Sequence, residues 1–308
     1  MYMAADHLVS IVIPCFARTA ADIDLLNETL RSVSQQSHQN YEVIVVDDGS
    51  PLEIAPVIER HPRAMIVRRA NGGSALARNA GIAASRGSFM VFLDADDHLL
   101  PCALETGLRY LAEHTDCGWT VGPREEITYA GAPVPWSIAQ PLSSNDIYLP
   151  LLRFDWYIIP PSAAMFRRGL VDSIGGFRDP CGADDLDFYL RAARASRAWC
   201  FDAPAVTRYR RYSESSSRDG ERMLRSIRAV YERQRPVVDG DVEAEAAFAQ
   251  GLARLTAIFQ DCLAENIVDR GQTRRWRSAL RAAALLAREN PTRFVLAMRS
   301  AAGALLQI

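Results

Sequence analysis

Residues 88–101 read SFMVFLDADDHLLP. The apolar run 89–93 stops abruptly on Asp94, Asp96 and Asp97, three carboxyls in four positions. A strand with no polar alternation is one that is covered on both faces, as in a parallel sheet. Acids crowded at its end repel one another unless a cation, an arginine or solvent sits among them. The same design stands upstream in YEVIVVDDGS (41–50), a second apolar strand that ends in acids and a glycine.

Outward from these two stretches, strand and helix patterns alternate. LVSIVIP (8–14) is a short apolar run closed by proline, and AMIVRR (64–69) is a third strand. Between them, 22–36 place Ile23, Leu26, Leu30 and Val33 on one helical face. An Ala-rich helix over 74–85 follows Asn71, Gly72 and Gly73. This alternation predicts a mostly parallel sheet with helices on both faces, and such sheets bind ligands beyond the carboxyl ends of their strands. Residues 116–212 are mixed, with a helix near 185–196, and the chain beyond about 220 reads as helical.

The 308 residues carry a formal net charge of −2, which argues against a general nucleic-acid binder. Every basic side chain other than histidine is arginine, so a Walker loop, which needs lysine, is excluded. VIPCFART follows the first strand where a Rossmann fold would carry GxGxxG. The six cysteines form no CxxC pair and predict reduced, mostly buried thiols. The N-terminal stretch has no signal-peptide pattern, and no run of eighteen apolar residues occurs. Together these features predict a cytoplasmic protein.

Five segments, VSIVIPCF, VIVVDDGS, NGGSALARNAGI, FLDADDHLLP and GADDLDFYLR, occur in this order. In order and spacing they resemble the inverting family 2 glycosyltransferases of the GT-A fold, from about Leu8 to about Ser217. The resemblance implies an α/β GT-A catalytic domain over 1–217. Its nucleotide-sugar half would span about 1–115, its acceptor half about 116–217, and a helical region would follow over 218–308. It also implies single-displacement transfer from a nucleotide-diphosphate sugar, UDP-linked by preference, to the hydroxyl of a glycan, lipid-linked or small-molecule acceptor. A divalent cation, Mn²⁺ or Mg²⁺, would assist.

Residue by residue, Asp48 matches the family's uracil-contacting aspartate, with Pro14 and Phe16 lining the base. Arg78 matches a basic residue near the nucleotide. Asp94 and Asp96 match the DxD motif, with Ala95 between them on the nucleotide side. Asp94 would face ribose and sugar, and Asp96 would bind the metal. Asp185 aligns with the general base, and Asp184 and Asp187 are expected to tolerate amide substitution better than it does.

Each position also has a plainer reading. Asp-rich turns cap helices or face solvent, Arg78 could be a solvated helix arginine, and acids favour a helix N-terminus through its dipole. A non-catalytic module of the same fold is the competing reading from another functional class. A sugar-phosphate nucleotidyltransferase is disfavoured by the absence of its Gly-rich basic first loop.

The chain departs from the family after the base helix. RYRRYSESSS puts Tyr212 where members often carry histidine, and tyrosine is a poor ligand for Mg²⁺ at neutral pH. Arg210, Arg211, Ser215, Ser216 or Ser217 would then meet the diphosphate, with His98 as a remote assistant. Residues 273–308 combine seven arginines, Trp276 and many leucines with a single acid. Two readings stay open there: a peripheral seat on the inner face of a membrane, or helices that pack on the catalytic domain or on a second copy in a homodimer.

Overall fold

The structure is a computed structural model that describes residues 7–134, 147–155, 160–178, 182–212 and 218–305. In chain order it contains β1 (Val9–Cys15), α1 (Ala20–Ser34), β2 (Tyr41–Asp47), α2 (Ala55–Ile58), β3 (Ala64–Arg68), α3 (Ser74–Ala84), β4 (Phe89–Phe92) and β5 (His98–Leu99). Next come α4 (Ala103–Glu113), β6 (Cys117–Val121), β7 (Arg124–Thr128), α5 (Tyr148–Arg153), β8 (Ala164–Arg167) and α6 (Arg168–Ser173). The remainder is α7 (Asp184–Ala195), β9 (Arg197–Cys200), β10 (Thr207–Arg211), α8 (Gly220–Val238), α9 (Val242–Gln272), α10 (Trp276–Glu289) and α11 (Pro291–Leu305).

A seven-stranded sheet runs in the order β3-β2-β1-β4-β8-β6-β9. Its first four strands are mutually parallel, as the fully apolar runs predict. β8 is inserted antiparallel between β4 and β6. β1 and β2 are in register to their last residues, with Cys15 opposite Asp47. The carboxyl ends of β1, β2 and β4 therefore share one edge, where Phe16, Asp48 and Asp94 begin their loops. A second sheet, β5-β10-β7, brings β10 beside the DADD loop.

Two elements depart from their sequence patterns for local reasons. Helix α1 begins two residues before the apolar period because Thr19 and Asp22 form a reciprocal capping box. The edge strand β3 leaves Met65 and Ile66 exposed, although its sequence reads as a buried strand.

The chain divides into two compact units, the second made of 213–308 with the short pieces 152–155 and 181–183. In the second unit the 31-residue α9 is the axis on which α8, α10 and α11 each pack. Its core includes Leu224, Ile227, Tyr231, Leu255, Leu263 and Leu286. Among the described residues no helix is long and apolar enough to cross a membrane.

Helix α3 must lie close against β1 and β2 to bring Arg78 to the site, and Gly81 permits this. A Cβ at Gly81 would stand 2.3 Å from Val12 Cγ1. Gly81→Ala should therefore destabilise the protein by about 1–3 kcal/mol in urea unfolding, against the usual gain for alanine in a helix. A neutral or stabilising effect would show that α3 is not seated this tightly.

Candidate functional site

Three chain segments hold the DADD loop in place. The Thr29 hydroxyl, on α1, donates towards Ala95 O at 2.9 Å and Asp97 O at 2.8 Å. From β10, the Arg210 backbone N–H donates to Asp97 Oδ1 at 2.9 Å and its Nε to Asp96 O, also at 2.9 Å. The rest of the Arg210 guanidinium is spent on Tyr129 O, Glu28 and His98. Arg210 is 2% exposed.

This corrects two expectations. Arg210, buried and with four of its five side-chain N–H groups engaged within the protein, acts as a clamp on the loop. His98 is no isolated loop side chain: it sits half-buried in the same cluster, and burial, then Arg210, lowers its pKa. Arg211 pairs with Glu126, while Ser215, Ser216 and Ser217 lie outside the described residues.

The three aspartates of the loop meet three different environments. Asp97 is 1% exposed, and burial, then Asp96 and Asp94, pushes its carboxyl well above the ordinary range. Burial thereby disfavours its charged form. Asp94 accepts from Arg78 at 2.6 Å. Asp96 faces the site with Oδ2 accepting from the Tyr212 hydroxyl at 2.7 Å. Burial, followed by Asp94, raises the Asp96 carboxyl above its usual value.

Arg78 ties the loop to the start of α7. One guanidinium nitrogen meets Asp94 and another meets Asp184 at 2.6 Å, and the residue is 5% exposed. The solvated-arginine reading is therefore excluded. Ser74, in the first turn of α3, adds a hydroxyl to Asp184 at 3.2 Å. Asp185, the next residue, has no such cation of its own. Burial, then Asp184, pushes its carboxyl up to about 7, with Arg78 opposing. One turn further along α7, the buried Tyr189 hydroxyl has no hydrogen-bond partner, and the Arg78 Nε is also unpartnered.

Asp184 and Asp187 are not tolerant controls. Asp184 is half of the buried Arg78 pair, and Asp187, 0% exposed, is paired with Arg191 at 2.7 Å. Removing the Asp187 carboxylate would take the ion-pair partner from the buried Arg191, and removing that of Asp184 would leave the buried Arg78 with Asp94 alone.

At the neighbouring strand end, Asp48 N–H donates to Cys15 O at 2.8 Å, which sets the β2 loop beside Pro14 and the exposed Phe16. The Asp48 carboxylate accepts from Gly72 N at 3.1 Å and Gly73 N at 2.7 Å, and it pairs with Arg69. Gly73 has φ +93°, a left-handed geometry that glycine adopts without penalty. Asp48 thus shapes the turn that starts α3.

Among the described residues, no group of three or more His, Cys, Asp or Glu could hold a metal unaided. The donor set nevertheless fits a cation that takes one or two carboxylates and completes its shell with phosphate oxygens and water. Five carboxyls (Asp94, Asp96, Asp97, Asp184 and Asp185) surround two guanidinium groups, one of them shared with Glu28. Asp96 is the acid with no arginine partner among the DADD carboxyls that face the site.

The sequence reading missed Thr29, Ser74, Glu28 and Tyr189. Tyr189 could have been found, because it lies four residues after Asp185 and so shares its helix face. Thr29 is an ordinary helix residue whose hydroxyl becomes informative only once α1 is docked.

Arg78→Leu leaves the Asp94 and Asp184 carboxylates without their cation. It should cost about 3–5 kcal/mol at neutral pH. Urea unfolding at neutral pH measures this, and an unchanged unfolding free energy would refute the pairing.

Comparison with known proteins now bears on this geometry. Residues 10–175 match the family described as Glycosyl transferase family 2. The uncharacterized glycosyltransferase YwdF of Bacillus subtilis (strain 168) is 32% identical over 195 residues, 61% of this chain and 69% of its own length. An uncharacterized glycosyltransferase of Rickettsia bellii is 37% identical over 112 residues, and the matched stretch is 16% of that protein.

Among solved structures, S. aureus TarS 1-349 in complex with UDP-GlcNAc superposes with a TM-score of 0.64 at 17% identity, over 97% of this chain and 91% of that one. The mannosyltransferase PcManGT from Pyrobaculum calidifontis, in complex with GDP-Man and Mn²⁺, gives 0.59 at 20% identity, over 96% and 85%. These structural matches bear on the fold, and it is the GT-A fold. The sequence match carries the classification: the chain belongs to glycosyl transferase family 2.

Proposed function

We propose that this glycosyltransferase moves a sugar from a UDP-sugar to an acceptor hydroxyl with inversion, aided by Mg²⁺ or Mn²⁺ at Asp96. The observation that carries the reading is the Asp94–Arg78–Asp184 bridge, which seats the half-buried Asp185 beside the DADD loop with its carboxyl pushed up to about 7. A carboxyl so tuned suits a general base working near neutral pH.

Asp185 takes the proton of the acceptor hydroxyl as its oxygen attacks the anomeric carbon. The new carbon–oxygen bond forms as the bond to the diphosphate oxygen breaks, and one displacement inverts the centre. A cation bound at Asp96 would supply charge compensation for the departing diphosphate. Tyr212 holds Oδ2 of Asp96, so the other carboxylate oxygen would be the one available to a cation. Arg78 positions Asp94 and Asp184, each of which takes one of its terminal nitrogens.

Pro14, Phe16 and Asp48 line the base position, with Ala95 and Asp94 on the ribose side. A base N–H would reach Asp48 in place of Arg69, the partly exposed member of its contacts. UDP-GlcNAc in TarS and GDP-Man in PcManGT mark the donors to compare, since uracil and guanine both present a ring N–H. The acceptor half is assigned to 116–217.

Three measurements test the assignment. Asp96→Ala should abolish the Mn²⁺-dependent part of UDP binding in calorimetry while leaving the unfolding midpoint nearly unchanged. Equal UDP affinity with and without the carboxyl would remove the metal from Asp96.

Asp185→Asn should lower transfer by about 10²–10⁴-fold with donor affinity kept, and the wild-type rate should fall as pH drops through about 7. The product of an α-linked donor should be β-linked, and a retained α-linkage refutes the single displacement.

The same substitution should affect stability in a way that depends on pH. Asp185 has a folded pKa above its unfolded value, so the folded protein holds the extra proton between about pH 4 and 7. Wild type therefore loses stability over that window and Asp185→Asn does not. The variant should melt at the same temperature as wild type near pH 4 and at a higher one at pH 8.

A further inference from the structure

Helices α10 and α11 dock on α9 through small or slender residues: Ala279, Ala282 and Leu286 from α10, and Ala297 from α11, are buried. The remaining surface of the pair is unusual for solvent. Leu280 is 69% exposed, Leu296 56%, Trp276 50%, Val295 46% and Met298 43%. On α10, Trp276 and Leu280 follow at four-residue spacing, and Arg277 and Arg281 run beside them at the same spacing, so one flank is apolar and the next is basic. On α11, Val295 and Arg299 lie one turn apart on one face, so an apolar and a basic side chain are neighbours there too.

Among the described residues, most of the charges on this surface have no counterpart. Among the described residues no carboxylate lies within ion-pair distance of Arg274, Arg275, Arg277, Arg281 or Arg299, whereas Arg288 meets Glu289 and Arg293 meets Asp261. Seven arginines and one acid occupy 273–308 within a chain of net charge −2, so the remainder of the protein is net acidic. Unpaired guanidinium groups ask for phosphate or carboxylate. The exposed leucines, valine and tryptophan ask for a phase other than water.

We propose that the outward surface of α10 and α11 seats the enzyme on an anionic lipid bilayer. The arginines would bind lipid phosphates, and Trp276, Leu280, Val295, Leu296 and Met298 would enter the headgroup and acyl boundary. An anionic bilayer offers both chemistries in one surface. A nucleic acid has phosphates but no apolar phase for Leu280 and Leu296. A symmetric contact with a second copy would bring the unpaired arginines of both protomers together. The seat is shallow, because neither helix is long and apolar enough to span. An enzyme so placed would meet acceptors carried on lipid. This inference does not depend on the donor or the metal proposed above.

The test is vesicle co-sedimentation of the full chain. Vesicles of phosphatidylcholine alone are compared with vesicles containing about a third phosphatidylglycerol. Binding is expected to the anionic vesicles and not to the neutral ones, weakening in about 0.5 M salt. Arg277→Glu with Arg281→Glu should lower it by about tenfold or more, and Leu280→Asn with Leu296→Asn should lower it as well. Unchanged circular dichroism would show that both variants fold. The proposal is overturned if anionic vesicles are not bound, if neutral vesicles bind equally, or if the variants bind like wild type. It is overturned equally by a dimer in light scattering that the same substitutions dissociate, or by binding to an oligonucleotide when anionic vesicles are ignored.

Discussion

Arg78 lies buried between two carboxylates that are far apart in sequence, Asp94 after β4 and Asp184 at the start of α7. Most of the site depends on that bridge. A buried guanidinium is tolerable only when it is paired and hydrogen-bonded, so the positions of α3, the DADD loop and α7 are mutually fixed. Gly81 lets α3 approach β1 closely, and Gly73 turns the chain so that α3 can begin where Asp48 receives its first N–H groups. Asp184 also sets the neighbouring residue: it holds Arg78 near Asp185 while its own charge raises the Asp185 carboxyl.

The crowding of acids that marks the sequence at 94–97 is thus resolved without one common answer. Asp97 is buried and drawn towards its neutral form, Asp94 is paired with arginine, and Asp96 is left facing outwards with only a phenol to hold it. Because each aspartate has a different neighbour, each has a different role. The clamp from β10 makes this possible: Arg210 holds the main chain of the loop through Asp96 O and Asp97, and so fixes which way each carboxyl turns.

The parallel half of the sheet was legible because strands covered on both faces must be apolar throughout, and 8–14, 41–46 and 89–93 are. The exposed edge strand β3 reads the same way, since an apolar run does not reveal whether its neighbour is present. Asp94, Asp96, Asp184 and Asp185 were legible as acids at the ends of strands and the start of a helix. What was illegible is which acid is paired, because pairing is a matter of distance in space. Arg210 read as a phosphate ligand, and only the packing of β10 between β5 and β7 shows that it is buried and bonded within the protein. Thr29 carried no signal at all.

The site keeps charge that the fold does not need. Asp96 and Asp185 both hold their protons more tightly than free carboxyls do, which means that the folded chain is strained towards neutralising them. A protein selected for stability alone would replace them, and their presence marks where stability yields to function. In the proposed reaction the two deficits are met from outside, Asp96 by a cation that accompanies the diphosphate and Asp185 by the proton of the acceptor. The arginines of α10 and α11 are unmatched in the opposite sense, cations without carboxylates. In each unit the charge that the chain leaves uncompensated gives the sign of the partner it is proposed to bind.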